Sequence, residues 1–325
     1  MKDIKKIMLI SFLVLFIVVS LIAVMPDKVA NHDLGVMAAE LKISESVDGA
    51  MTNTSYVNSD GVLTDAIDMG YATVQRTRNT DGKIIKELYF EADGNPVKRY
   101  NEYYGIAYEY EDNMVKITYL NADGVHPITL TTGYSIIVRT LNDAGKAVDE
   151  HYYNSKMQPA SCNGYYGLYR GYNSDGQNIQ EVYLDRNGQI VYCASGYAIK
   201  MYDRDSSDLA AAEYYYDRQK KPTTSTLGQY GEKYQRNENG QITQIIYLGV
   251  DGNPAPTQAG YTMLRRSYYR DGTAKTDMYF DRKGNSIALS KGQYGIRRSG
   301  KINLLLDKNG HIMLCVDNIL NSFPF

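Results

Sequence analysis

The chain has no tryptophan, and among its 325 residues only three are cysteine, four histidine and eight proline. It also lacks a charge of one sign: 35 Lys and Arg stand against 37 Asp and Glu. A protein that binds nucleic acid by neutralising phosphates needs a basic excess, so no nucleic-acid partner is expected. Cys162, Cys193 and Cys315 have no Cys-x-x-Cys spacing, which argues against zinc. His32, His126, His151 and His311 are scattered and show no His-Glu-x-x-His pattern. No Gly-x-Ser-x-Gly nucleophile elbow occurs. The runs Asp185-Arg-Asn-Gly188, Asp281-Arg-Lys-Gly284 and Asp307-Lys-Asn-Gly310 place glycine fourth, where a calcium loop needs it sixth, and no Glu follows at twelve. They read as turns. The inventory predicts no enzyme, no metal and no cofactor.

What the chain has is tyrosine, 31 of them beside six Phe, and 28 glycines. It also has one long apolar run. Ile7 to Met25 carries no charge along its whole length, and Lys2, Lys5 and Lys6 precede it. At about 1.5 Å per residue the run reaches roughly 28 Å, the thickness of a bilayer core. Its exit, Ala23-Val24-Met25-Pro26, is poor for signal cleavage. Residues 1–25 are therefore expected to be an uncleaved signal anchor, a single transmembrane helix, in preference to a cleaved peptide. The lysines keep the N-terminus cytoplasmic and place residues 26–325 outside the cell membrane. Without residues 1–25 the chain holds 32 basic and 36 acidic residues, so no polybasic grip on lipid is expected. Residues 26–55 read as a juxtamembrane linker, with Asp33 able to cap a helix over Leu34 to Leu41.

Self-similarity organises the rest. Tyr-apolar-x-x-(Asp/Asn)-Gly recurs with its tyrosine at Tyr56, Tyr89, Tyr119, Tyr152, Tyr183, Tyr215, Tyr247 and Tyr279, at near-constant spacing. A second landmark follows at an equally regular distance: Gly70-Tyr71, Gly133-Tyr134, Gly164-Tyr165, Gly196-Tyr197 and Gly260-Tyr261. Tyr104-Gly105, Gly228-Gln229-Tyr230 and Gly292-Gln293-Tyr294 are weaker copies. Asp-Gly and Asn-Gly turns such as Asp93-Gly94, Asn187-Gly188 and Asn239-Gly240 tolerate the positive φ of tight hairpins. The fold class predicted is all-β: a tandem β-hairpin repeat array of about eight units of about 32 residues, four short strands each. It forms a spiralling antiparallel sheet over residues 56–325, closed by a capping hairpin at Asn309-Gly310.

Period-two alternation assigns the faces. Val57, Phe90, Leu120, Tyr153, Leu184, Tyr216, Leu248 and Phe280 follow the landmark tyrosines, and Leu88, Val182, Ile246 and Met278 precede them. That apolar set is expected to be the core. The landmark tyrosines share the opposite face with Glu87, Glu150, Glu181 and Asp277. Two readings of the tyrosine row stay open: rings stacked between units, or a platform for a sugar or polymer. Gly-Tyr-x-x-x-x-Arg adds Arg76, Arg139, Arg170 and Arg266, either paired with acids and rings or ranged for an anionic ligand. The candidate platform is thus Tyr89, Tyr119, Tyr152, Tyr183, Tyr215, Tyr247 and Tyr279 with Arg76, Arg139, Arg170 and Arg266.

The stretch Arg170-Gly-Tyr-Asn-Ser-Asp-Gly176, followed by Tyr183-Leu-Asp-Arg-Asn-Gly188, resembles the Tyr-Asp-x-x-Gly units of bacterial RHS/YD-type repeat proteins. Tyr89-Phe-Glu-Ala-Asp-Gly94 is similar to the hairpins of cell-wall- and choline-binding repeats. The first resemblance implies a spiral β shell on a bacterial surface, the second stacked hairpins on a wall polymer. Choline cages of the latter family use tryptophan, which this chain lacks. The functional expectation is a membrane-anchored, extracytoplasmic repeat protein whose partner is a cell-wall glycan or other polymer, or an envelope protein. One alternative is a non-catalytic accessory subunit of an envelope polymer-synthesis or secretion machine. Another is a cryptic hydrolase that uses paired carboxylates.

Overall fold

The computed structural model describes residues 36–100, 102–299 and 302–313. Within them the chain forms one antiparallel sheet of 18 strands. It opens with β1 (Lys42–Asp48), β2 (Met51–Val57), β3 (Thr73–Arg78) and β4 (Ile84–Phe90), and ends with β17 (Gly295–Ser299) and β18 (Ile302–Leu306). Every register joins strands consecutive in sequence, β1 to β2 through β17 to β18. The tandem hairpin array is the fold. The expected four strands per unit are two, because the other two shrink to single bridges such as Phe90↔Pro96, Leu184↔Ile190 and Leu248↔Pro254.

Each unit makes three turns. The first joins the two strands of a hairpin: Asn79 Oδ1 accepts the amides of Asp81 and Lys83, while the Gly82 amide donates to the Asn79 carbonyl. Gly82 sits at φ +77°, the left-handed geometry that ends a short hairpin loop with a bulge, and the register slips between Thr77 and Arg78. The second turn uses the same Asx chemistry at Asp185, whose Oδ1 accepts from Asn187 and Gln189. The third turn, for example Cys193 to Tyr197, brings the chain back to start the next strand. Third turns of successive units stack through backbone bonds: Ala194 donates to Asn163, Thr226 to Ser195 and Gln258 to Leu227, at 2.8–2.9 Å. The sheet is antiparallel, while its turn edge is built like a solenoid.

Three expectations change. The stretch read as linker to residue 55 contains β1 and most of β2, so the array starts one hairpin early. β1 is exposed along its whole length and so has no apolar face for the sequence to show. Of the proposed helix over Leu34 to Leu41, the described residues hold only a 3₁₀ turn at Ala38–Glu40. The signal anchor at 1–25 lies outside the described residues, and no helix among the described ones is long and apolar enough to cross a membrane.

The third change concerns the faces. The landmark tyrosines are the buried side: Tyr56, Tyr89, Tyr152, Tyr183, Tyr215, Tyr247 and Tyr279 are each less than one-tenth exposed. Val57, Phe90, Tyr153, Leu184, Tyr216 and Phe280, expected as core, are half-buried; of the expected set Leu120, Val182 and Leu248 are buried, with Ile199 and Leu306 beside them on the same side. The reason is the third turn. It carries its own tyrosine over the landmark row, and the period-two pattern within a strand contains no information about what a distant turn covers. We call the landmark side the inner face and the opposite side the outer face.

Candidate functional site

Three rows run along the inner face. In the first, strand and third-turn tyrosines alternate in one chain of ring contacts: Tyr56, Tyr71, Tyr89, Tyr103, Tyr119, Tyr134, Tyr152, Tyr165, Tyr183, Tyr197 and Tyr215, centroids 4.3–6.3 Å apart. It resumes with Tyr247, Tyr261 and Tyr279. Ring pairs at these separations each contribute about 0.5–1.5 kcal/mol beyond the area they bury. Burial raises the phenol pKa along the row from Tyr71 on, to about 12 at Tyr119 and Tyr279. In the second row, Val74, Ile106, Ile137, Leu168, Lys200, Glu232, Leu264 and Ile296 pair across the strands with landmark positions. Six are apolar and two are charged.

The third row is ionic. Arg76 meets Glu87 at 2.7 Å, Arg139 meets Glu150 at 2.5 Å, and Arg266 and Arg298 converge on Asp277 at 2.7 Å each. Arg170 lies between Glu150 at 3.4 Å and Glu181 at 3.7 Å. Glu150 and Asp277 are each 3% exposed. Burial acts to raise both carboxyl pKa values, but the guanidinium partners, with the Tyr152 hydroxyl at Glu150, outweigh it and hold both low. Every acid in the row has a guanidinium partner.

The structure therefore brings together all eleven sequence-predicted platform residues, on the inner face. Tyr89, Tyr152, Tyr183, Tyr215, Tyr247 and Tyr279 are buried among other tyrosines, Tyr119 is half-buried in the same chain, and Arg76, Arg139, Arg170 and Arg266 are bound to acids. His126 and His151 pair with Asp123 and Asp149 of their own hairpins, and no cluster of three or more His, Cys, Asp or Glu suited to a metal occurs among the described residues.

The outer face carries a set of residues that the one-unit period hides. The residue after the third turn reads Ala72, Tyr104, Ser135, Tyr166, Ala198, Tyr230, Thr262, Tyr294. The next position is Gly105, Gly167, Gly231 and Gly295 after every tyrosine and a larger residue after every small one. The position after each landmark tyrosine alternates in step: Val57, Phe90, Leu120, Tyr153, Leu184, Tyr216, Leu248, Phe280. Glycine is required there, because a Cβ on Gly105 would lie 2.5 Å from Leu88 Cδ2, and one on Gly295 would collide with Met278 Sδ in the same way. The true outer-face repeat is thus two units long. It sets aromatic pairs Phe90/Tyr104, Tyr153/Tyr166, Tyr216/Tyr230 and Phe280/Tyr294 at the starts of β5 (Gly105–Glu111), β9 (Gly167–Tyr172), β13 (Gly231–Arg236) and β17.

All these rings but Tyr230 are half-buried. Phe90 and Tyr104 line an open groove of about 230 Å³ with Leu88, Pro96 and the Asn121–Gly124 turn. Tyr230 packs edge-on to Tyr216 at 5.6 Å and donates to its hydroxyl at 2.7 Å. Cations sit over three of the other rings: Lys98 on Tyr104, Arg186 on Tyr166 and Arg265 on Phe280, at 4.4–5.6 Å. Four strands separate successive pairs, which is roughly 19 Å along a sheet.

No protein-family model and no curated protein matches the chain. Among solved structures, a porin-like protein from Bacteroides uniformis is similar over 81% of this chain and 90% of that one, at 12% identity and a TM-score of 0.30. A likeness that distant carries no argument about fold or activity.

Proposed function

We propose that this is a non-catalytic, membrane-anchored and extracytoplasmic repeat protein that binds an extended cell-wall polymer along its outer face. The observation that carries this reading is the two-unit alternation, which leaves partly exposed rings at regular steps, Tyr230 alone being buried, while every other unit has Ala, Ser or Thr in the same place. Both kinds of unit fold with the same registers, Tyr-Gly in one and a small buried residue followed by a larger one in the other, and only the Tyr-Gly kind presents a second ring. Aromatic rings with a nearby cation suit sugar faces and anionic substituents. Several weak sites on one rigid sheet give avidity toward a repeating ligand that no single site would have.

The test is retention of the full-length protein on purified cell wall, compared with a Tyr104→Ala, Tyr166→Ala, Tyr294→Ala variant. Alanine is the residue that two other units already carry there, at Ala72 and Ala198. We expect apparent affinity to fall at least tenfold while the variant stays folded, its stability lowered by about 1 kcal/mol for each half-buried ring removed. Retention unchanged in the triple variant would overturn the reading.

A further inference from the structure

The inner face has one break, at which three departures from the repeat meet. Gln229 stands where the third turns before and after it carry the zipper tyrosines Tyr197 and Tyr261, and Lys200 and Glu232 replace the aliphatic residues of the second row. Glu232 lies directly opposite Glu213 across β12 (Ala210–Tyr216) and β13. Two carboxylates facing each other on adjacent strands repel, so the pair needs a compensating charge. Lys200 reaches Glu213 at 3.4 Å and sits over the rings of Tyr197, Tyr202 and Tyr215. Glu213 also accepts the Tyr215 hydroxyl at 2.5 Å. Glu232 is in none of the ladder's ion pairs among the described residues; it accepts from Gln229 Nε2 at 3.2 Å and the Tyr234 hydroxyl at 3.0 Å. Around this break, one negative charge is left over.

Gln229 adds an independent observation. It is 3% exposed, and its Oε1 has no hydrogen-bond partner. A buried amide oxygen left unmatched costs about 1–3 kcal/mol. Gln293 occupies the same position two units later, between Leu264 and Ile296 of the second row, and its Oε1 accepts the Lys291 amide at 3.0 Å. A glutamine in this turn can therefore satisfy itself, and Gln229 does not. The ring chain stops at Tyr215 and restarts at Tyr247, so this oxygen lies at the gap in the ring chain.

We propose that the break is a site for a primary ammonium group. The donors at the break, Lys200, Gln229 Nε2 and the Tyr215 and Tyr234 hydroxyls, are already engaged, and what remains on offer is acceptors: the Gln229 Oε1 and the carboxylates of Glu232 and Glu213. An ammonium has hydrogens to give and the single positive charge that balances Glu232, and the rings of Tyr197, Tyr202, Tyr215 and Tyr234 flank the break. The site is independent of the outer-face polymer reading.

The experiment uses full-length protein and methylammonium chloride as the probe, with tetramethylammonium chloride at equal ionic strength as the comparison. Methylammonium should raise the thermal midpoint saturably, and tetramethylammonium, which has no hydrogen to donate, should not. Gln229→Tyr restores the missing ring and should abolish the shift. Glu232→Gln keeps the shape, removes the charge and should reduce the shift at least fivefold, so the proposal stays testable if the tyrosine variant does not fold. A shift absent from the wild type, equal for both salts, or retained in Glu232→Gln would overturn it.

Discussion

The two faces of this sheet repeat with different periods. The inner face repeats every unit: a landmark tyrosine, an aliphatic neighbour and an arginine–acid pair recur with few exceptions. The outer face repeats every second unit, Tyr-Gly alternating with a small residue and a larger one. A face that must close against the next unit's third turn meets the same surroundings each time and keeps the same residues. The outer face is covered by second turns only in part, with Leu120, Ile199 and Leu248 buried and rings such as Phe90 and Tyr104 left at the edge, and here it varies regularly. The difference separates the residues that hold the array together from those left for a ligand.

The strongest way to break the comparison is to remove rings from the closed face. Tyr183→Leu, Tyr215→Leu and Tyr247→Leu together delete the zipper contacts that these rings make with Tyr165, Tyr197 and Tyr261, and the hydroxyl bonds from Tyr183 to Glu181 and Tyr215 to Glu213. We expect a loss of about 3–5 kcal/mol in denaturant unfolding, against about 1 kcal/mol for each half-buried ring removed by the outer-face alanines. Equal losses on the two faces would erase the distinction drawn between them.

Much of the array is legible in the sequence because hairpin chemistry is local. Asn79 with Gly82 and Asp185 with Gly188 dictate their turns within a few positions, and the ring-to-ring use of Tyr89 or Tyr183 is one of the two readings open from the sequence. The pairing of Arg139 with Glu150 is likewise one of the readings that the Arg spacing leaves open. What fails is the assignment of the core. Phe90 and Tyr216 are more apolar or aromatic than their surroundings, yet the side that is sealed is decided by third turns well downstream in the chain. The two-unit period is present in the sequence at Tyr104-Gly105, which reads as a degenerate landmark. It becomes visible once Tyr103, and not Tyr104, is seen to take the zipper position.

A smaller effect separates the regular inner face from its break, and it has opposite signs in the two places. At Glu150 and Asp277 the folded pKa is lowered despite burial, so their contribution is fully present above the ordinary carboxylate range and is lost as pH falls through the folded values. At Glu232 burial, and then Glu213, raise the folded pKa. Its contribution is fully present below the ordinary glutamate value and is lost as pH rises through the folded one. Glu150→Gln should therefore cost about 2–3 kcal/mol at pH 7 and less below pH 4, because it leaves Arg139 and Arg170 without their shared acid. Glu232→Gln should stabilise at pH 7, by about 1 kcal/mol, and lose that advantage as pH falls toward 4. Urea melts of the two variants at pH 7, 5 and 4 check both signs, and slopes of the same sign would mean that the break is no different from the rest of the ladder.

The smallest expected effect is a null one, and it asks whether the sheet or the turn stack governs the lid of the inner face. Cys162 and Cys193 begin successive third turns, Cys162 donating its amide to Tyr165 and Cys193 to Tyr197. If the sheet alone set their spacing, the two strands per unit would hold equivalent residues roughly 10 Å apart, too far for a disulfide. The turns approach more closely than that, since Ala194 donates to Asn163 at 2.8 Å and a Cβ on Gly164 would lie 3.5 Å from the Cys193 carbonyl carbon. Backbone distance therefore does not keep the thiols apart. Side-chain direction does: Cys162 packs with Tyr152 and Tyr165, Cys193 with Tyr183 and Tyr197, and both thiols are buried and free. Joining them would require rings of the zipper to move aside, at the cost of contacts such as Tyr165–Tyr183 at 4.7 Å. Burial also raises the Cys162 thiol pKa and so suppresses the reactive thiolate. Protein treated with a mild oxidant should show no peptide linking Cys162 to Cys193 by non-reducing mass spectrometry, and its thermal midpoint should be unchanged. A linked peptide would show that the turn stack yields more readily than the tyrosine zipper, and that the inner face is less closed than its burial implies.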